Sequence, residues 1–549
     1  MKKTLLFLFV VAIFSTASTC RKRDSETVTV ALPEKFSTFD TIGTVTSDAA
    51  AERVKNLMFN TLVRKNESFE YVGELASEIS ASPDGKVITF KLRDGVKFHN
   101  GKVFDSSDVK YTFAQLFEKN GFKAGAFFDT ELVEKKDKPA PAPTASPSTD
   151  GQKATDPAKP VEKKETRRVP HILSIEAPDA RTVIFTVARP DLRNQLLSNL
   201  VAIPIIADGT IDQQKDQPMG TGPFKFVSLD VGQNIVEMEA NPEYWEGAPK
   251  IKKLRLKTVT DANSLQAELQ TGAVDIAPNP TNISADTLRS LAASPMLKVE
   301  QSDGSNIQYL LLNSSQPPLN NLKIRQAIAY SIDRKRIVKE LLFDQARVAD
   351  SILPPASWAY SPGTTYDYDE AKAKALIKES GYANEPIVFK YGAGNLAVNQ
   401  YAQVLQSSLT EVGLNVRIET LDLTTVREQL KQGQFNLYTG VWIGGNQDPI
   451  FFRDLYSTSK IPSDVVNCCN RGRYSNPDVD KLIADAMAET DKAKAKELYG
   501  KAWSIVSSEM PMLPLWYPSN MIVANKRIGN IKINASGDWG FLKDITADQ

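Results

Sequence analysis

Histidine and cysteine are nearly missing from this chain, whose 549 residues include 2 His and 3 Cys. His99 and His171 alone cannot build a multi-histidine metal centre, and three cysteines make neither a four-cysteine zinc site nor a disulfide scaffold. Net charge is missing as well, because 66 Lys and Arg stand against 66 Asp and Glu. That balance gives no basis for nucleic acid or an anionic membrane surface as the main partner. Past the N-terminus no apolar run approaches the roughly 18 residues of a membrane span. The motifs GxSxG, HExxH and the P-loop are absent, and no internal repeat is visible. What remains is globular in character. A hydrophobic content of 42% excludes a wholly disordered chain, and the length suits about three domains.

The N-terminus carries an address. Lys2 and Lys3 precede an apolar run from Leu5 to Phe14, then small residues from Ser15 to Thr19, then Cys20. A basic start, a short apolar core and a small-residue end make a secretory signal over 1–19 rather than a membrane span. The placing of Cys20 resembles a bacterial lipoprotein signal, which implies lipidation of that cysteine. Ala17-Ser18-Thr19-Cys20 departs from the usual motif, which has Leu three residues before the cysteine, so cleavage after Ala17 stays open. Removing 1–19 deletes two positive charges and no negative ones, which leaves 64 against 66, a mature charge of about −2.

Strand-like runs come early, as 27–32 (TVTVAL), 87–92 (VITFKL) and 182–187 (TVIFTV), all rich in β-branched residues. Stretches of 3.6-residue period follow at 324–342, 401–414 and 479–490. This mixture reads as α/β with more than one lobe. Residues 134–168 break the pattern. Six prolines among Ala, Ser, Thr, Asp and Lys, with Val161 as the one aliphatic side chain beyond alanine, predict a disordered insert. Its nine basic against six acidic residues are too even to imply an anionic partner.

Several stretches, in order, resemble the family 5 extracellular solute-binding proteins, the dipeptide- and oligopeptide-binding components of ATP-driven importers. They are 98–113 (FHNGKVFDSSDVKYTF), 220–226 (GTGPFKF), 241–257 (NPEYWEGAPKIKKLRLK) and 269–276 (LQTGAVDI). The series continues at 309–334, 366–382, 470–483 and 510–523. The resemblance implies a two-lobed periplasmic binding protein of type II, of the large peptide-binding class. Lobe I would comprise 20–60, 201–300 and 508–549. An extra subdomain at 61–200 would carry the insert, and lobe II would span 301–507. Hinge closure would bury the ligand.

Gly392-Ala393-Gly394-Asn395-Leu396-Ala397 fits GxGxxA between a predicted strand and helix, with Glu419 further on. Alone it is a dinucleotide fingerprint; within the family it is a glycine-rich turn, whose helix N-terminus at Asn395 is placed to hold a ligand carboxylate. By the resemblance, 437–456 lines the cleft: Trp442 stacks on the ligand, and Gly445, Asn446 and Asp448 follow, with Trp516 approaching from the C-terminal return. Two departures stand out. Peptide-binding relatives commonly carry aspartate where Gly445 stands, to pair with the ligand ammonium, and dipeptide binders use an arginine in the stretch matching 392–395, where none is present. Asp448 either takes over the ammonium or caps the helix beginning near Pro449.

Cys468 and Cys469 are adjacent, as a strained vicinal disulfide or as two thiols. Arg325 and Asp333 are expected to make structural ion pairs, and Trp245 to be core. Trp358 and Trp539 also fall where relatives approach the cleft. No catalytic residue, metal site or cofactor is expected. The expectation is therefore an extracytoplasmic binding protein, monomeric and anchored through lipidated Cys20, that delivers an oligopeptide or peptide-like solute to importer permeases. The alternatives are a secreted hydrolase or redox enzyme, and a sensory or peptide-holding module.

Overall fold

The computed structural model describes residues 26–36, 38–40, 42–44, 49–132, 166–444, 447–463, 466 and 469–548. Thr27–Leu32 is buried along its whole length, as a continuous β-branched run must be when both faces are covered. It lies at the centre of a seven-stranded sheet in the order Phe224–Asp230, Ile235–Ala240, Lys253–Thr258, Thr27–Leu32, Ile276–Pro278, Asn520–Asn525, Leu297–Ser302. This sheet defines lobe I. A four-stranded sheet (Ala76–Ala81, Val87–Leu92, Thr182–Val187, Ile172–Asp179) packs onto the same core. Its interior is an edge-to-face aromatic stack in which Phe113 meets Phe185 at 5.1 Å and Phe127 at 5.8 Å.

Lobe II is built on a six-stranded sheet in the order Ala346–Val348, Met512–Pro518, Ile307–Leu312, Leu437–Trp442, Ile387–Gly392, Val416–Leu421. Two segments cross between the lobes. One leads from Leu297–Ser302 to Ile307–Leu312, the other from Met512–Pro518 to Asn520–Asn525. They run in contact. A Cβ on Gly304 would stand 2.0 Å from the Pro518 carbonyl oxygen, and Asn520 Nδ2 donates to the Asp303 carbonyl at 3.3 Å and to that of Asn534 at 3.0 Å. Lobe I is also tied from first strand to last: buried Asp275 accepts from Thr29 N–H and from Arg527 Nε, both at 2.9 Å.

Three expectations change. The period over 324–342 is not one helix. Leu322–Ser331 ends at an extended Ile332, and the Asp333 side chain accepts from Arg336 N–H to start a new turn, Arg334–Arg336, before the π-helical turn Ile337–Leu341. A capping aspartate inside an amphipathic pattern competes for the backbone and wins here. Among the described residues Arg325 makes no ion pair; it donates to the backbone carbonyls of Glu509 at 2.8 Å and Leu319 at 2.9 Å. The insert expected over 134–168 lies outside the described residues through 165, but Thr166–Pro170 is a strand paired with Phe128–Leu132. The two ends of the insert therefore leave from one hairpin.

Gly304→Ala is expected to lower stability by about 1–3 kcal/mol, because the neighbour it meets is backbone and cannot swing away. Thermal unfolding checks this against Gly125→Ala, where a Cβ meets nothing within 4 Å.

Candidate functional site

The Leu437–Trp442 strand ends at the seam between the lobes. Trp442 stacks over Tyr309 of the neighbouring strand at 6.2 Å and 24°. Phe451 meets it edge-on at 4.9 Å. These contacts lock the indole, yet its Nε1–H is buried without an acceptor. Asp448 is 5% exposed. Its Oδ1 accepts from Ile450 N–H at 2.8 Å in the turn before the helix Phe451–Tyr456, whose N-cap is Ile450 and not Asp448, while Oδ2 is buried and unpartnered.

Lobe I supplies the opposite charge. Lys65 ends the strand Val63–Lys65, paired with Tyr71–Gly73, and its Nζ donates across the seam to Gln447 Oε1 at 3.3 Å. Gln447 Nε2 donates in turn to Ser305 Oγ in the first crossing segment at 2.8 Å. Tyr71, directly opposite Lys65, has a buried hydroxyl with no partner. Burial pushes the Asp448 carboxyl up against the pull of Lys65, and burial pushes the Lys65 ammonium down against the pull of Asp448. The field of each favours the charged form of the other, although no direct ion pair joins them.

The lobes also touch beside this point. Trp358 N–H donates to the Ser68 carbonyl at 3.1 Å. Lys492 pairs with Glu70 and lies over the Trp358 ring at 5.2 Å. Arg453 Nη1 donates to Gln195 Oε1 at 2.7 Å.

Of the residues expected at the site, the structure brings Trp442 and Asp448 to the seam. Gly445, Asn446, Cys20 and Cys468 lie outside the described residues. Asn395 is exposed and caps the helix Leu396–Glu411, accepting from Val398 N–H at 3.2 Å. Trp516 is 3% exposed and packs edge-on against Tyr401 at 5.2 Å in the core of lobe II. It is a core residue there, apart from Trp442, because the two side chains join different hydrophobic clusters of the lobe. Cys469 is disulfide-bonded. Lys65, Tyr71, Tyr309 and Gln447 were not foreseen. Lys65 and Tyr71 stand hundreds of residues from Trp442, and nothing in their local sequence marks them.

Outside the seam the chemistry is structural. His99 is held by the Gly222 carbonyl at 3.1 Å, and burial lowers its pKa to about 4. Buried His171 faces Asp129 at 3.2 Å. Trp245 donates to Asn60 Oδ1 at 3.2 Å and Trp539 is fully buried. Among the described residues no group of three or more His, Cys, Asp or Glu is placed to hold a metal. A cavity of about 290 Å³ within lobe II is lined by Arg334, Asp350, Tyr366 and Trp503, among others. It shares no residue with the seam, and its arginine is occupied by the carbonyls of Ala349, Pro514 and Tyr366. Buried unpartnered polar atoms occur at both places, Trp503 Nε1 in the cavity wall and Trp442 Nε1, Tyr71 Oη and Asp448 Oδ2 at the seam.

A family model for bacterial extracellular solute-binding proteins, family 5, matches residues 70–464. The chain belongs to that family, and its fold is the two-lobed type II periplasmic binding protein. Heme-binding protein A of Haemophilus influenzae is 27% identical over 531 residues, with 91% of this chain and 89% of that protein covered. Di/tripeptide-binding protein 2 of Pseudomonas aeruginosa is 28% identical over 553 residues, covering 97% and 96%. Among solved structures, the oligopeptide-binding protein AppA of Bacillus subtilis in complex with a nonapeptide superposes with a TM-score of 0.70 at 21% identity, covering 95% of this chain and 99% of that one.

Removing Lys65 takes away both the Gln447 contact and the cation whose field favours the buried Asp448 carboxylate. Lys65→Met is expected to cost about 1–3 kcal/mol at neutral pH. An acid with a raised pKa favours its protonated form in the folded protein, so Asp448 is less costly as pH falls toward the ordinary aspartate range. The Lys65→Met loss therefore shrinks toward pH 4. Lys65→Met combined with Asp448→Asn recovers most of the loss at pH 7. Denaturant unfolding of the two single variants and the double variant at both pH values measures this.

Proposed function

We propose that this protein is an extracytoplasmic solute-binding lipoprotein that captures an oligopeptide or peptide-like solute between its lobes and passes it to the permease of an ATP-driven importer. The observation that carries this reading is the set of buried, unpartnered polar atoms at the seam: Trp442 Nε1, Tyr71 Oη and Asp448 Oδ2. Buried polar groups are nearly always satisfied. A peptide backbone offers a carbonyl for the indole and a donor for the carboxylate, while the Tyr309–Trp442 stack offers an aromatic wall for a side chain. Di/tripeptide-binding and oligopeptide-binding proteins among the relatives support the same class of ligand.

The protein works as a monomer, with Cys20 lipidated at the membrane surface. Among the described residues no helix is long and apolar enough to cross a membrane; the lipid on Cys20 is the anchor in this reading. With Cys20 given to lipid, Cys468 is the partner that remains for the disulfide of Cys469. Intact mass of the alkylated protein with and without reductant tests that bond, and two alkylatable thiols without reductant overturn it.

Native mass spectrometry of protein purified from its own host is expected to release a mixed pool of short peptides, and a single non-peptide compound overturns the reading. Trp442→Ala is expected to weaken calorimetric binding of those peptides by about 2 kcal/mol or more, as removal of a central aromatic contact does.

A further inference from the structure

The cavity of about 290 Å³ within lobe II lies apart from the seam, and its walls have the features of a binding site. One wall is apolar: Met510, Met512 and Leu513 are each 2% exposed or less. Another holds Trp503, 1% exposed, whose Nε1–H has no acceptor. The facing chain shows why this nitrogen is uncovered. A Cβ on Gly363 would stand 2.5 Å from Trp503 Nε1 and 2.8 Å from Ser507 Oγ. Glycine there leaves the indole edge clear beside Thr364 and Ser507, which both line the cavity.

Hydrogen bonds fix the walls in place. Arg334 donates to the carbonyls of Ala349 and Pro514 at 2.7 Å and of Tyr366 at 3.0 Å. Gly363 N–H donates to the Asp350 carbonyl and Thr364 N–H to Ser507 Oγ, both at 2.9 Å. A cavity formed in advance costs its ligand little in ordering.

Size and charge define the occupant. The volume is at the lower end of small-molecule pockets, enough for one residue-sized molecule and too little for an extended peptide. The charges in the wall cancel, with Arg334 and Lys335 against Asp350 and Asp367. Lys335 pairs with Asp367 at 2.9 Å, and both Asp350 carboxylate oxygens accept from Tyr360 Oη at 2.9 Å. An ion that entered would lose its water without meeting an uncompensated opposite charge. A neutral carbonyl would satisfy the indole.

We infer that this cavity is a second ligand site, for a neutral, residue-sized molecule whose apolar body packs on Met510, Met512 and Leu513 and whose carbonyl oxygen accepts from Trp503 Nε1–H. The site is separate from the seam and does not depend on the peptide reading. Met512 and Leu513 belong to the strand that leads into the second crossing segment, so the occupant rests against an element that joins the lobes.

The chain has six tryptophans, and the indole N–H signals of Trp503 and Trp442 are assigned in nitrogen–proton NMR spectra by Trp503→Phe and Trp442→Phe. The mature protein is titrated at about pH 6 with N-acetyl-leucinamide, with leucinamide as the related cation and with N-acetyl-leucine as the related anion. The neutral amide is expected to shift the Trp503 signal saturably at millimolar concentration while the Trp442 signal stays still. It is expected to bind roughly tenfold more tightly than either ion. Trp503→Phe, read through the Met510 and Met512 methyl signals, is expected to weaken binding about three- to tenfold, the scale of one hydrogen bond. Thr365→Phe, at an exposed lining position, is expected to block binding with the unfolding midpoint unchanged. Equal binding of an ion, or wild-type affinity in Trp503→Phe, overturns the inference. So does a Trp503 signal that none of the three molecules moves, the result for a cavity that takes only water. Movement of the Trp442 signal alone assigns the amide to the seam and overturns it as well.

Discussion

Two chain segments pass between the lobes side by side, and the rest of the molecule is arranged around that crossing. They are close enough that residue 304 has no room for a side chain against the Pro518 carbonyl. Backbone against backbone leaves little freedom to twist, and the Asn520 side chain fastens the pair by donating to carbonyls on both sides of the gap. Each segment joins a strand of one sheet to a strand of the other, so the crossing sets the registers of the two lobes together. It also reaches the site directly: Ser305, the residue after Gly304, holds Gln447, and Gln447 holds Lys65. A bend at the crossing therefore displaces the cation that lobe I contributes. Closure and charge pairing are one event in such a geometry.

The seam is costly in folding terms, and that cost is informative. A buried carboxylate oxygen, an indole N–H and a phenol hydroxyl without partners each give up the bonds they would make to water. Some buried charged groups are satisfied in full: the Asp275 carboxylate accepts from a backbone N–H and from Arg527, and Arg325 and Arg334 spend donors on carbonyls. Single unpartnered polar atoms also occur away from the seam, as at Thr258, Asn282, Trp503 and Trp539, while at the seam they occur together at Trp442, Tyr71 and Asp448. A solute that satisfies them adds its own bonds to closure, which is how binding energy becomes a conformational signal.

Much of the fold was legible in the sequence. The β-branched runs 27–32, 87–92 and 182–187 are strands, and Asp105 caps its helix with Asp108 completing the box. Local chemistry decided these, so local sequence revealed them. Reading failed where a competing local bond or a distant partner decided the outcome. The Ser331-Ile332-Asp333 break shows a side-chain cap overruling a hydrophobic period. Arg325 was paired with an acid in expectation but with carbonyls in fact, because helix ends and strand ends converge on it from nearly two hundred residues away. Trp516 and Trp442 both sit on strands that flank Ile307–Leu312, and only the three-dimensional packing sends one indole into the core and the other to the seam. Lys65 carries no local signal, since its partner Gln447 lies 382 residues further along the chain.

The charge pattern of the seam also bears on the proposed ligand. Asp448 brings a buried carboxyl there, and Lys65 is the cation whose field reaches it. Burial pushes the carboxyl up and the ammonium down, and a further carboxylate in so low a dielectric would be driven toward protonation. Groups that bond without adding charge, such as backbone amides, are favoured there, beside the aromatic wall of Tyr309 and Trp442.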